Sequence, residues 1–143
     1  MDLRLAFAVN NNNEFENKHF GQADKFLIYK LNSGSLDKES EEVNTLKSYE
    51  QNKKHGIRKK GEAIIDLLQS RNVNILVARQ FGENISIINA HFIPVVIAAE
   101  NPTEASEILL KHFSWILDEW EKKSSGYNLF TIKGGILKSA IHK

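Results

Sequence analysis

The 143-residue sequence contains no cysteine, only two prolines, and no long hydrophobic run. Without thiols the chain forms neither disulfides nor a zinc or iron–sulfur site on its own thiolates. Nineteen basic and eighteen acidic residues give a formal net charge of +1, which argues against a general nucleic-acid or membrane-surface binder. The first ten residues become polar too quickly for a signal peptide, and no segment approaches the roughly 20 apolar residues that span a bilayer. We therefore expect a cytoplasmic protein.

Hydrophobic patterning predicts strands that alternate with helices. Strands are expected over residues 3–9, 26–31, part of 36–49, 73–78 and 93–99, and helices over 57–71, 83–90 and 102–120. Asn101, Pro102 and Glu104 mark the start of the last helix as N-cap, first-turn proline and capping-box carboxylate. The order β-β-β-α-β-α-β-α predicts a mixed α/β sheet flanked by helices, with a meander first and parallel pairing later.

The end of the chain departs from this alternation. Ser124, Ser125 and Gly126 interrupt the helical pattern, and residues 127–133 alternate like a half-buried strand before a short tail. We therefore divide the sequence into a domain of residues 1–123 and a C-terminal extension of residues 124–143. The extra strand is suited to pairing across a dimer or onto an exposed sheet edge.

The segment KHFGQADKFLIYKL, residues 18–31, is the first candidate site. It places His19 on a turn with Phe20 and Gly21, directly before an aromatic and β-branched strand. Gly21 is expected to turn the chain through a positive φ and to leave His19 at the sheet edge. An imidazole in that position either ligates a metal or caps the turn through its ring hydrogen bonds.

Two further segments are candidates for ligand binding. Residues 51–60 are the most basic stretch of the chain and surround His55 and Gly56, with Gly61 following. A loop of this composition before a helix either attracts an anionic ligand, helped by helix N–H groups, or is a solvated charged loop. Phe81 and Gly82 follow a predicted buried strand, where α/β folds place ligands, and the alternative is a plain turn.

In this order and spacing, the segments resemble the dinitrogenase iron–molybdenum cofactor biosynthesis family, the NifX-like domain also found at the C-terminus of NifB-type proteins. HFGQADKFLIYKL resembles the family's HFG-plus-strand signature. The likeness continues through HGIRKKGEAIIDLLQSRNVNILVARQFGENISIINAHFIPVVIAAENPTEA and covers about residues 3–122. It implies a ribonuclease-H-like fold with a five-stranded mixed sheet flanked by helices.

The resemblance implies binding rather than catalysis, because members bind, carry or store iron–sulfur precursors of the nitrogenase cofactor. The implied ligand is an iron–sulfur cluster or an iron–molybdenum cofactor precursor, and the implied partners are cofactor-assembly proteins. The residues that match the family's binding turns are His19, Phe20, Gly21, His55, Gly56, Gly61, Phe81 and Gly82. His19 and His55 would be the metal ligands, because the chain offers no thiolate.

A nuclease and a protein-interaction module are the two other functions to compare with the sequence. A ribonuclease-H-type nuclease needs clustered carboxylates on its central strands, and the predicted buried strands VNILVA and IPVVIAA contain none. A protein-interaction or regulatory module with the same fold and no metal remains the alternative function. It would use the C-terminal extension to bind a partner protein or a second copy of the chain.

Overall fold

We describe the fold from a computed structural model that covers residues 2–45, 54–82, 85–122, 126–134 and 136–140, without the side chains of residues 54–59 and 140. The strands are β1 (Arg4–Val9), β2 (Lys25–Asn32), β3 (Ser35–Val43), β4 (Ile75–Ala78), β5 (Ile93–Ile97), β6 (Leu129–Lys133) and β7 (Ile136–Ala140). The helices are α1 (Lys54–Ser70), α2 (Ile85–Ile88), α3 (Pro102–Lys111) and α4 (Phe113–Glu121), with a short 3₁₀ helix at Phe20–Gln22. Among the residues covered, no helix has both the length and the apolar character to cross a membrane.

All seven strands form one mixed sheet in the order β3-β2-β1-β4-β5-β6-β7. The first three strands form the predicted antiparallel meander, and β1 also pairs in parallel with β4. β4, β5 and β6 continue the parallel part, and β7 returns antiparallel to β6. The prediction of a mixed α/β sheet flanked by helices is therefore confirmed.

Alternation along β1 divides the core into two layers. Leu5, Phe7 and Val9 belong to the apolar layer shared with α3 and α4. Ala6 and Ala8 face the opposite layer, which contains α1, α2 and Phe20. Both faces of the sheet centre are therefore buried, which explains the nearly continuous apolar sequences of β1, β4 and β5.

The helix predicted over residues 102–120 is two helices. Its start is as expected, because the Asn101 side chain accepts a hydrogen bond from the Glu104 N–H at 3.0 Å and Pro102 occupies the first turn. The Glu104 carboxylate accepts from the Glu100 N–H rather than from the cap residue itself. The helix is interrupted at His112, whose φ of −116° and ψ of 10° lie outside the helical region, and α4 begins one residue later.

The basic loop predicted before the first helix is helical where it is described. α1 already includes Lys54, so His55, Gly56 and Gly61 lie on the helix and not on a loop that precedes it. The expected start at Ile57 was wrong because the glycines were treated as turn residues. A glycine inside a helix costs about 1 kcal/mol relative to alanine, which neighbouring tertiary packing can offset.

The C-terminal extension adds two strands, so the sheet has seven strands instead of five. β6 pairs in parallel with β5 on one side and antiparallel with β7 on the other. Of the two pairings expected for residues 127–133, the structure shows pairing onto a sheet edge, that of β5 in the same chain. β7, in the segment predicted to be a tail, covers the other edge of β6 and is the last strand of the sheet. The buried Glu119 of α4 holds the connection, because its carboxylate accepts hydrogen bonds from the backbone and side-chain N–H groups of Asn128.

Candidate functional site

The HFG turn lies where β1 and β4 end, at the carboxyl edge of the parallel strands. His19 forms an isolated parallel bridge with Gln80, and the Phe20 N–H donates to the Gln80 carbonyl at 3.0 Å. Phe20 is buried between two other rings and stacks on Phe26 at 4.9 Å and on Phe81 at 5.4 Å. The aromatic stack therefore fixes His19 beside the second FG turn.

The imidazole of His19 lies directly against Gly82. A Cβ atom built on Gly82 would lie 2.6 Å from His19 Nδ1 and 3.0 Å from Cγ, which is closer than real side chains approach. The imidazole itself is exposed. The glycine is needed here for space rather than for a positive φ, because its backbone is not in the left-handed region. The two predicted FG turns thus form one site with the histidine on its surface.

Gly21 plays a different role from the one expected of it. Its φ is not positive, and it lies inside the 3₁₀ helix that packs on α1. A Cβ on Gly21 would meet Ile64 Cδ1 at 3.2 Å and Lys60 Cε at 3.8 Å. The absence of a side chain therefore allows α1 to approach the HFG turn closely, which was not apparent from the local sequence.

That close approach brings a buried lysine to the site. Lys60 is only 3% exposed, and burial lowers the pKa of its ammonium group. Lys60 lies next to Gly61, which is also buried, so the part of α1 nearest the turn carries a positive charge below its surface. Sequence analysis included Lys60 only as one member of the basic stretch, because no local sequence signal distinguishes it from the other basic residues there.

The buried Asn44 holds the turn from the other side. Its side-chain amide donates to the carbonyls of Gly21 and Ala23 at 3.0 and 2.8 Å. These bonds satisfy backbone groups that would otherwise lack a partner within the turn. Asn44 follows the polar strand β3, where no sequence pattern singles it out, and sequence analysis missed it.

Among the described residues, the crevice that contains His19 is shallow. The crevice lined by Glu16, Lys18, His19 and the end of β1 has a volume of about 10 Å³, enough for about one water molecule. Lys18 and Glu16 form an ion pair at 3.4 Å beside it. A ligand bound at this crevice would lie on the surface of the described residues, beside this ion pair.

The donor set decides what kind of metal-containing ligand fits. Within the described ranges, no three His, Asp or Glu side chains come together as a metal site. The side chain of His55 lies outside the described part of the chain, so its predicted pairing with His19 stays a prediction. Among the described side chains at the two FG turns, His19 contributes one metal-competent imidazole.

The chain folds into a mixed α/β domain in which the two FG turns are in contact at the carboxyl edge of the parallel strands. The family model described as "Dinitrogenase iron-molybdenum cofactor" matches residues 1–114, and the chain belongs to this family. The match confirms the resemblance and relates the chain to the biosynthesis of the nitrogenase iron–molybdenum cofactor. No curated protein matches the chain. The matched region ends before β6 and β7, so the family assignment rests on the sheet from β3 to β5 and its helices.

Proposed function

We propose that the protein is a non-catalytic carrier that holds an iron–sulfur cluster, or a similar anionic precursor of the iron–molybdenum cofactor, on the surface formed by the two FG turns. The observation that carries the proposal is the contact of the exposed His19 imidazole with Gly82. This contact holds the exposed, metal-competent imidazole at a defined position beside the second turn. Cofactor-assembly proteins would be the donors and acceptors of this cargo.

Electrostatics support an anionic ligand at this surface. α1 leads directly into β4, so the two run in opposite directions and the amino end of α1 lies toward the carboxyl end of β4. The positive end of the helix dipole and the buried charge of Lys60 both act on the region of the HFG turn. β1, β4 and β5 carry no carboxylate, which supports binding without metal-dependent hydrolysis on these strands.

The shallow surface supports transfer rather than storage. A cluster bound through one imidazole above a crevice of about 10 Å³ remains accessible to an acceptor protein. Ligand exchange at one protein nitrogen is also simpler than at a closed site with several protein ligands. The site therefore suits a protein that receives and releases its cargo.

The test is anaerobic reconstitution with ferrous iron and sulfide, followed by iron and sulfide analysis and visible absorption spectra. We compare wild type with His19→Ala and with the control His91→Ala, whose exposed imidazole lies beside Gln69 on α1. We expect cluster uptake by wild type and by the control, and loss of uptake in His19→Ala. Equal uptake by His19→Ala, or no uptake by correctly folded wild type, would contradict the carrier function.

A further inference from the structure

Arg79 directly follows β4, and neutral acceptors hold its side chain in place. Its Nε and Nη2 atoms donate to the carbonyl of Ala99 at 3.1 and 3.0 Å, and its Nη1 donates to the Asn17 side chain at 3.4 Å. No carboxylate of the described residues lies within ion-pair distance of it. The guanidinium is therefore held in one orientation by neutral partners and keeps its full positive charge.

Two open clefts meet at this arginine. The larger, about 490 Å³, is lined by Asn17, Lys133, Glu104 and residues 97–99, and the smaller, about 390 Å³, by residues 14–16 and Asn10. Arg79 and Glu100 line both clefts, so they stand side by side on the boundary between them. A fixed cation and a carboxylate that are neighbours but do not pair with each other offer two complementary charges to one small molecule.

The balance of charges selects the ligand. Arg79 and Lys133 contribute two positive charges to the larger cleft, and Glu100 and Glu104 contribute two negative charges. A dianion such as phosphate would be attracted by the first pair and repelled by the second. A zwitterion satisfies both pairs. Ile97 and Ala99 are core residues, so the exposed Ala98 is the side chain of this segment that gives the larger cleft a small apolar surface.

We propose that the cleft at Arg79 binds a free α-amino acid with a small aliphatic side chain. Its carboxylate would pair with the Arg79 guanidinium, with Lys133 adding to the positive field, and its ammonium would face Glu100. The larger cleft is separate from the His19 crevice, because the two share no lining residue. Amino-acid binding would thus give the carrier a second ligand of a different class.

The experiment is an NMR titration of the ¹⁵N-labelled full chain with L-valine, L-valine methyl ester, N-acetyl-L-valine and inorganic phosphate. We expect saturable shifts of the amides of Asn17, Ala98, Ala99 and Glu100 with L-valine. The ester and the acetylated compound, each lacking one charge, should bind about tenfold more weakly or worse, as expected for loss of one charged pair. No saturable shift at up to about 10 mM L-valine would overturn the proposal, as would equal binding of the two blocked compounds or of phosphate.

Variants separate a binding role from a structural one. Arg79→Gln should abolish the shifts, but this change also removes the hydrogen bonds to Ala99. Glu100→Gln and Lys133→Gln are milder variants, and each should lower the affinity for L-valine about three- to tenfold. Arg71→Gln is the matched control, since Arg71 is an exposed arginine that pairs with Glu42 away from the cleft. His19→Ala should bind L-valine as wild type does, so the two sites can fail independently. Full binding by folded Glu100→Gln and Lys133→Gln would contradict the proposal.

Discussion

Gly82→Ala should lower cargo binding while leaving the free energy of unfolding nearly unchanged. The new Cβ would lie 2.6 Å from His19 Nδ1, 3.0 Å from Cγ and 3.2 Å from Cε1. Normal contact requires about 3.5 Å, so the ring must move by about 1 Å or change rotamer. His19 is exposed, and the side chain can therefore move away without disturbing the core.

The cost to stability should be small because two effects oppose each other. Displacing the ring from its preferred conformation costs about 0.5–1.5 kcal/mol. Replacing glycine by alanine at a position with an ordinary φ stabilises the folded state by about 0.4–1 kcal/mol, since the unfolded chain loses freedom. We therefore expect the free energy of unfolding to change by less than about 1 kcal/mol, while cargo binding falls because the imidazole no longer has its fixed position.

Urea denaturation measures the first quantity, and iron and sulfide content after reconstitution measures the second. Gly126→Ala is the matched control, because a Cβ at that position meets nothing within 4 Å and its φ is not positive. It should keep cargo binding and gain slight stability. Wild-type cargo binding by Gly82→Ala, or a loss of stability above about 2 kcal/mol, would refute the reasoning, since either result means the imidazole is not displaced as described.

Three further predictions concern the support of the site and the sheet. Asn44→Ala should lower the free energy of unfolding by about 1–3 kcal/mol in urea denaturation, because two turn carbonyls lose their donor; a change below about 0.5 kcal/mol would contradict this. Burial makes the pKa of Lys60 in the folded chain lower than the ordinary value of about 10.4. At pH values between these two pKa values the unfolded chain binds more protons than the folded chain, so the free energy of unfolding should rise with pH. Lys60→Met should remove this rise relative to wild type, and identical pH profiles would refute the assignment. Deletion of residues 124–143 should expose the edge of β5 and produce aggregates in size-exclusion chromatography; a stable monomer would show that the edge is protected in another way.

The strands up to β5 were predictable because each has a strong local pattern. β1, β4 and β5 are buried on both faces and read as apolar runs, and Asn101 with Pro102 marked the start of α3. The break at His112 was not predictable, since the apolar spacing continues through it. β7 was missed because Ile136–Ala140 is short and its large residue Ile136 is 61% exposed, so pairing with β6 rather than burial defines it.

The residues of the site were easier to predict than their arrangement. HFG and FG turns are visible in the sequence, but their contact depends on the pairing of β1 with β4 and on stacking of Phe20 with Phe81. Local sequence predicted a positive φ for Gly21, whereas in the structure its missing side chain allows α1 to pack closely on the turn. The contributions of Lys60, Asn44 and Arg79 arise from long-range packing, which periodicity and turn propensity do not report.

The position of β1 between β2, which is made early, and β4, which is made later, determines when the two FG turns can meet during protein synthesis. The ribosome releases β1, the HFG turn, β2 and β3 first, and these can pair locally. The partner of His19 and Phe20 is Gln80, which leaves the ribosome only after α1 and β4. Until then the turn lacks its second half, and the nascent chain does not contain the complete proposed site. On the proposed carrier function, loading would follow translation of residue 82.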